Sequence, residues 1–176
     1  MRKILLFIFI STSFLFTSNE TFAQNRTEKS RAVEAVKVFY RFHFSHKDAF
    51  DERGVSRRRR LFTPKLRQLF DAELKRQKIY LKKYPDNKPY FEGLPFEPIE
   101  FCPNDYRVGA AQTTRQTATA KVNFVYSKSS CDASDGTKIS YKILLSKITG
   151  KWLINDVIYD DGSTLTKAFS EAQKIK

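Results

Sequence analysis

From Tyr106 to Tyr159 apolar residues fall on alternate positions, whereas before residue 85 they recur every three or four. This change of period constrains the fold more than any other feature. Side chains alternate between two faces along a strand and return to one face every 3.6 residues along a helix. Tyr106, Val108, Ala110 and Gln112 alternate with Arg107, Gly109, Ala111 and Thr113. After a turn at Thr114-Arg115-Gln116, Ala118, Ala120, Val122, Phe124 and Tyr126 form a second run, and Ile139, Tyr141, Ile143 and Leu145 a third. Thr149-Gly150 turns the chain into a fourth strand over Lys151 to Tyr159. Alternation with one apolar face predicts an antiparallel meander, buried on one side and wet on the other.

Upstream, Ala32, Val33, Ala35, Val36, Phe39, Tyr40, His43 and Phe44 predict an amphipathic helix from Ser30 to His46. Asp48 to Gly54 reads as a connection, and Ser56 as the cap of a short turn over Arg57 to Arg60. Thr63-Pro64 supplies an N-cap and a first-turn proline for a second long helix. Its buried stripe is predicted at Leu66, Leu69, Phe70, Leu74, Gln77, Tyr80, Leu81 and Tyr84. Residues 85–105 hold five of the six prolines and should wrap the body, while Leu165, Ala168, Phe169 and Ala172 suggest a short terminal helix. Helices first and strands after give an α+β fold in one domain over 24–176, with a four-stranded antiparallel meander and a short C-terminal helix.

The first 23 residues read as a secretory signal peptide: Met1-Arg2-Lys3, an apolar run from Ile4 to Phe16, and Thr21-Phe22-Ala23 at the cut. No cysteine stands near that cut, so no lipid anchor is expected, and the chain should be periplasmic or secreted. Cys102 and Cys131 are then expected to be bonded, because their midpoint lies almost on the Thr114–Gln116 turn and antiparallel pairing brings both ends together. With 176 residues, two Cys and two His, the chain is neither a multidomain machine nor a disulfide-dense miniprotein, and it lacks the residues for a zinc site of several Cys and His.

Three stretches carry a family resemblance: Gly150-Lys151-Trp152-Leu153-Ile154-Asn155-Asp156-Val157-Ile158-Tyr159-Asp160-Asp161-Gly162-Ser163-Thr164-Leu165, the Phe39-Tyr40 helix, and Leu61-Phe62-Thr63-Pro64 followed by Leu66. Together they resemble the YbjP/YqhG-type family of uncharacterised bacterial envelope proteins. The resemblance implies a cystatin-like cone of the nuclear-transport-factor-two type, in which the N-terminal helices pack in the concavity of the curved antiparallel meander. No catalytic residues are established for that family, so none carry over.

Trp152, Ile154, Asp156 and Ile158 share one phase of the fourth strand. If that phase faces the concavity, Asp156 stands among apolar side chains as the polar anchor of a pocket that also includes Tyr40, His43, Tyr141 and Trp152. Otherwise it is a structural carboxylate, or it points to water on the opposite phase. His43 and His46 are one helical turn apart, with Asp48, Asp51 and Glu52 nearby. They read as a core or pocket histidine and a helix-end histidine rather than as metal ligands. No glycine-rich phosphate loop occurs, and no cofactor is expected.

The formal charge is +13, and it is concentrated: residues 53–88 hold 13 Lys or Arg against Asp71, Glu73 and Asp86. Arg57, Arg58, Arg59, Arg60, Arg67, Lys75, Lys78 and Lys82 are the candidates for weak contact with an anionic membrane or cell-wall surface. Nucleic acid is the least expected partner of a secreted chain without a binding motif. The leading expectation is a non-enzymatic exported binding protein with an inner pocket, its ligand a small molecule or an envelope protein. Two alternatives stand beside it: a small-molecule enzyme using Asp156 with a Tyr or His partner, and a protein-interacting envelope accessory or inhibitor.

Overall fold

The computed structural model describes residues 17–127, 131, 138–172 and 174, with side chains from residue 26 onward. Residues 1–16, most of the proposed signal peptide, lie outside this range. The helices are α1 (Thr17–Ser45), α2 (Glu52–Arg58), α3 (Pro64–Lys83) and α4 (Leu165–Ala172). The strands are β1 (Asp105–Thr113), β2 (Thr117–Val125), β3 (Ser140–Ile148) and β4 (Lys151–Ile158). They form one open, curved antiparallel sheet in the order β1-β2-β3-β4. The predicted α+β meander with a short C-terminal helix is therefore the observed fold.

Turn chemistry sets the meander. Thr114 closes the β1–β2 turn by accepting at Oγ1 from the amides of Gln116 and Thr117, and Thr149 and Gly150 both take positive φ (47° and 79°) between β3 and β4. Asp105 of β1 pairs with Val125 of β2, so the two strands bring their outer ends together. Beyond those ends Cys102 and Cys131 are disulfide-bonded, their Cα atoms 5.7 Å apart.

The helices cover the inner face of the sheet, and aromatic rings fill the space between. Phe39, Tyr40, Phe62, Phe70, Phe96 and Phe169 are fully buried. Phe62 stacks on Phe70 with centroids 5.1 Å apart, Phe39 meets Phe96 edge-on at 4.7 Å, and Phe169 of α4 meets Phe70 at 5.0 Å. Such pairs add packing geometry to the burial of large apolar surfaces.

Three local expectations are corrected. Residues 52–58 form α2 rather than a connection followed by a Ser56-capped turn. Asp51 is the N-cap, its Oδ1 accepting from Gly54 N at 2.6 Å. Gly54 lies inside this helix because a Cβ there would collide with the Ala49 carbonyl oxygen. On α3 the most buried line runs Leu66, Phe70, Glu73, Gln77, with Leu69, Leu74, Tyr80 and Leu81 half-buried and Tyr84 exposed. Glu73 takes a core position because Arg76, one turn on, covers it with a 2.6 Å Nη2–Oε1 ion pair.

The third correction concerns phase. β1 is bulged between Val108 and Ala111, so Ala111, not Ala110, is buried. β4 is bulged at Asn155: Leu145 pairs with Ile154, yet the preceding Leu144 pairs with Asp156. An extra residue moves every later side chain to the other face. Trp152 and Ile154 are buried before the bulge and Val157 after it, so Asp156 leaves the Trp152 phase.

Candidate functional site

The five residues expected around an inner pocket separate into three places. Tyr40 and His43 stay together because one helical turn of α1 stacks them, with ring centroids 6.1 Å apart. Tyr141 joins them through Phe124, which meets Tyr40 at 6.0 Å and Tyr141 at 4.9 Å. Tyr159, half-buried, closes the cluster edge-on to Tyr141 at 5.0 Å. Tyr40 donates to the Phe96 carbonyl at 2.8 Å, and Tyr159 to the Pro95 carbonyl at 3.2 Å. Burial pushes the phenols of Tyr40, Tyr141 and Tyr159 above the ordinary tyrosine range, so they remain protonated donors.

His43 is 4% exposed, stacked on Phe39, and neither ring nitrogen has a hydrogen-bond partner among the described residues. Its Nε2 lies 3.6 Å from Glu97 Oε1, too long for a hydrogen bond. Burial, reinforced by the nearby Arg58 charge, pushes the imidazole down to about 3, while burial raises the Glu97 carboxyl. The imidazole is therefore neutral at ordinary pH. His46 is placed differently: it stacks on Phe42 at 4.2 Å, and its Nδ1 lies 2.9 Å from Ser45 Oγ. The two histidines thus have separate environments, and among the described residues no group of three metal-ligating side chains comes together.

Trp152 belongs near the β3–β4 turn. Its indole N–H donates to Glu28 Oε2 at 3.1 Å, and Lys147 Nζ reaches the same oxygen at 2.7 Å. The Lys147 bond, ahead of all other causes, holds the Glu28 carboxyl below its usual range. Asp156 caps α4. Its Oδ1 accepts from Val157 N at 2.8 Å and Thr166 N at 3.1 Å, and its Oδ2 from Thr166 Oγ1 at 2.8 Å. The concave-facing account of Asp156 thus gives way to the structural carboxylate.

The basic segment also divides. Arg58 is fully buried and is corrected from surface contact to structural core. It donates from Nη1 to Asp48 Oδ2 (2.6 Å) and the Gly54 carbonyl (3.0 Å), and from Nη2 to the His46 carbonyl (2.6 Å). This fastens the end of α1 to α2. Arg57 binds Asp48 Oδ1 at 3.0 Å, and Arg59 holds Asp71 through two bonds at 2.5 and 2.6 Å. Those partners pull Asp48 and Asp71 below the ordinary carboxylate range, Arg58 and Arg59 respectively being the main cause. Half-buried Arg67 donates from Nε to the Phe62 carbonyl. Arg60, Lys75, Lys78 and Lys82 are exposed, and so are Lys65 and Lys83.

Glu28, Glu73 and Glu97 were not among the sequence candidates. The step from Phe70 through Glu73 to Gln77, with Arg76 beside it, is the one signal that marks Glu73. Glu28 has one local partner, Arg31 three residues on, but meets Lys147 and Trp152 only through tertiary contacts, as Glu97 meets His43. No protein-family model matches this chain, and neither does any curated protein.

Proposed function

We propose that the protein is an exported, non-catalytic binding protein that associates with anionic membrane surfaces through the outer face of α3. One observation carries this reading. Lys65, Lys75, Lys78, Lys82 and Lys83 lie on the exposed side of the helix, and none forms an ion pair among the described residues. Asp71, the acid on that side, is already held by Arg59. Ile79, 60% exposed, is the single large apolar residue of that face, so attraction is Coulombic with little insertion.

Binding is favoured over catalysis because the interior groups suited to proton transfer are enclosed or committed. Tyr40, Tyr159 and Asp156 already serve structural hydrogen bonds, and aromatic rings occupy the concavity. Export is supported by the leader pattern of residues 1–23 and by the disulfide, which suits an oxidising compartment. A cut after Ala23 would leave the Glu28 anchor in the mature chain. Among the described residues no helix is long and apolar enough to cross a membrane.

Each lysine near an anionic leaflet contributes about 1 kcal/mol, decaying over a Debye length of about 8 Å at physiological salt. Sedimentation with phosphatidylserine-containing vesicles at low salt should therefore show binding that falls steeply toward physiological salt. Replacing Lys75, Lys78 and Lys82 together by Ser should weaken it at least ~10-fold. Equal sedimentation with neutral and anionic vesicles at low salt would overturn the proposal.

A further inference from the structure

The outer face of the sheet carries positive charge that the fold leaves unbalanced. Lys121 stands at the middle of β2 between buried Ala120 and Val122, and Lys142 lies between buried Tyr141 and Ile143 on β3. Alternation along a strand therefore points both lysines away from the core. The β2–β3 register sets them directly opposite one another, where like charges repel. Arg107 of β1 and Lys151 of β4 are exposed on the same face. None of these four cations forms an ion pair among the described residues. Asp156 on this face is bound to Thr166 of α4, and Asp105, at the outer end of β1, accepts from the Tyr106 amide.

Shape supplies the second observation. The helices fill the concave side of the curved sheet, so the outer side is convex and the central strands β2 and β3 form its crest. The two facing lysines stand on that crest. A convex crest encloses no small anion, but it is the first part of the face to meet a broad surface. Exposed side chains there accept the negative partner that the facing lysines lack, and a second copy of the same face would bring more lysines to them.

We infer that this crest is a second contact for an anionic lipid leaflet, so that one molecule bridges two such surfaces. The inference rests on the membrane reading of α3. Leu66 and Phe70 of α3 point into the same core as Val122 and Ile143 of the sheet. The exposed lysines of α3 and those of the crest therefore lie on different sides of that core. One leaflet meets α3 and the other meets Lys121 and Lys142.

The test uses the full mature protein at low salt, with phosphatidylserine-containing vesicles tethered to a surface and fluorescent vesicles of the same composition in solution. The wild type should capture the fluorescent vesicles, and neutral ones should stay free. The Lys121→Ser, Lys142→Ser double variant should still sediment with anionic vesicles through α3 but capture at least ~10-fold fewer of them. Lys29→Ser with Lys37→Ser, which removes the same charge from exposed positions of α1, should capture as the wild type does. Lys142→Glu should lose capture while its Tm stays at or above that of the wild type, because it sets opposite charges across from one another. Wild-type capture by the Lys121→Ser, Lys142→Ser variant, or an equal loss in the α1 variant, would overturn the proposal. Failure of the α3 reading removes sedimentation together with capture, whereas failure of bridging alone leaves sedimentation intact.

Discussion

Arg58 and Arg60 stand two residues apart and have unrelated environments. Arg58 is fully buried between Asp48 and the carbonyls of His46 and Gly54, with its guanidinium 5.2 Å from the Phe42 ring centre, whereas Arg60 is exposed. Removing Arg58 leaves Asp48 with the more exposed Arg57 alone and takes the buried donor from the His46 and Gly54 carbonyls, so Arg58→Met should cost about 3 kcal/mol in urea unfolding. Arg60→Ser should stay within about 0.5 kcal/mol. Equal effects would contradict the buried placement. His43 gives a pH prediction. Its imidazole titrates near 3 when folded, below the ordinary 6.5, so the unfolded chain binds the extra proton between those values. The stability linked to this group is complete above about 6.5 and is lost as pH falls toward 3. Glu97, raised by burial, acts in the opposite sense, its folded state holding the proton more tightly, but it is present in wild type and variant alike. Relative to wild type, His43→Phe should therefore gain up to about 1.4 kcal/mol for each pH unit below 6.5. A pH-independent difference would show that His43 is not held neutral in the fold.

At the scale of elements, α4 has eight residues, buries Leu165, Phe169 and Ala172, and is held at its N-terminus by Asp156 together with the Thr164 cap. Asp156→Ala removes the acceptor of Thr166 N and of Thr166 Oγ1, which should destabilise the fold by about 1–2 kcal/mol. Faster hydrogen exchange should appear first at Thr166, and unchanged exchange there would remove the capping role. The β4 bulge makes this cap available. It also holds the start of α3, because Thr63 N donates to the Ile154 carbonyl at 2.9 Å and Thr63 Oγ1 to Asn155 Oδ1 at 3.2 Å. In α2, Gly54→Ala should destabilise although alanine favours helix by about 1 kcal/mol, since the Cβ meets the Ala49 carbonyl, a backbone atom that cannot swing away. A more stable variant would show that this approach can relax.

For the whole molecule, one covalent link ties the segment before β1 to the segment after β2. Closing a loop of sequence separation 29 should stabilise the fold by roughly 3.5 kcal/mol in the chain-entropy picture. The Cys102→Ser, Cys131→Ser double variant should lose about that much in thermal or urea unfolding while keeping the same sheet, because the turn at Thr114–Thr117 pairs β1 with β2 independently. Loss of the β1–β2 pairing in that variant would mean that the link, not the turn, sets the register.

Periodicity and turn residues are local properties, so the sequence alone determined the helices-then-strands order, the Thr114–Gln116 and Thr149–Gly150 turns, and through the first of these the Cys102–Cys131 pairing. Phase and partnership are not local. One inserted residue at Asn155 turned Asp156 away from Trp152, and nothing in the strict alternation of Trp152 to Ile158 announced it. The run Arg57 to Arg60 reads as four equal charges. The fold buries Arg58 against Asp48, pairs Arg59 with Asp71 and leaves Arg60 in water, because distant carboxylates and carbonyls decide where each guanidinium is satisfied. Glu28 and Glu97 follow the same rule. Lys147 and Trp152 on Glu28, and His43 beside Glu97, come from other elements, and only the packed chain brings them within reach.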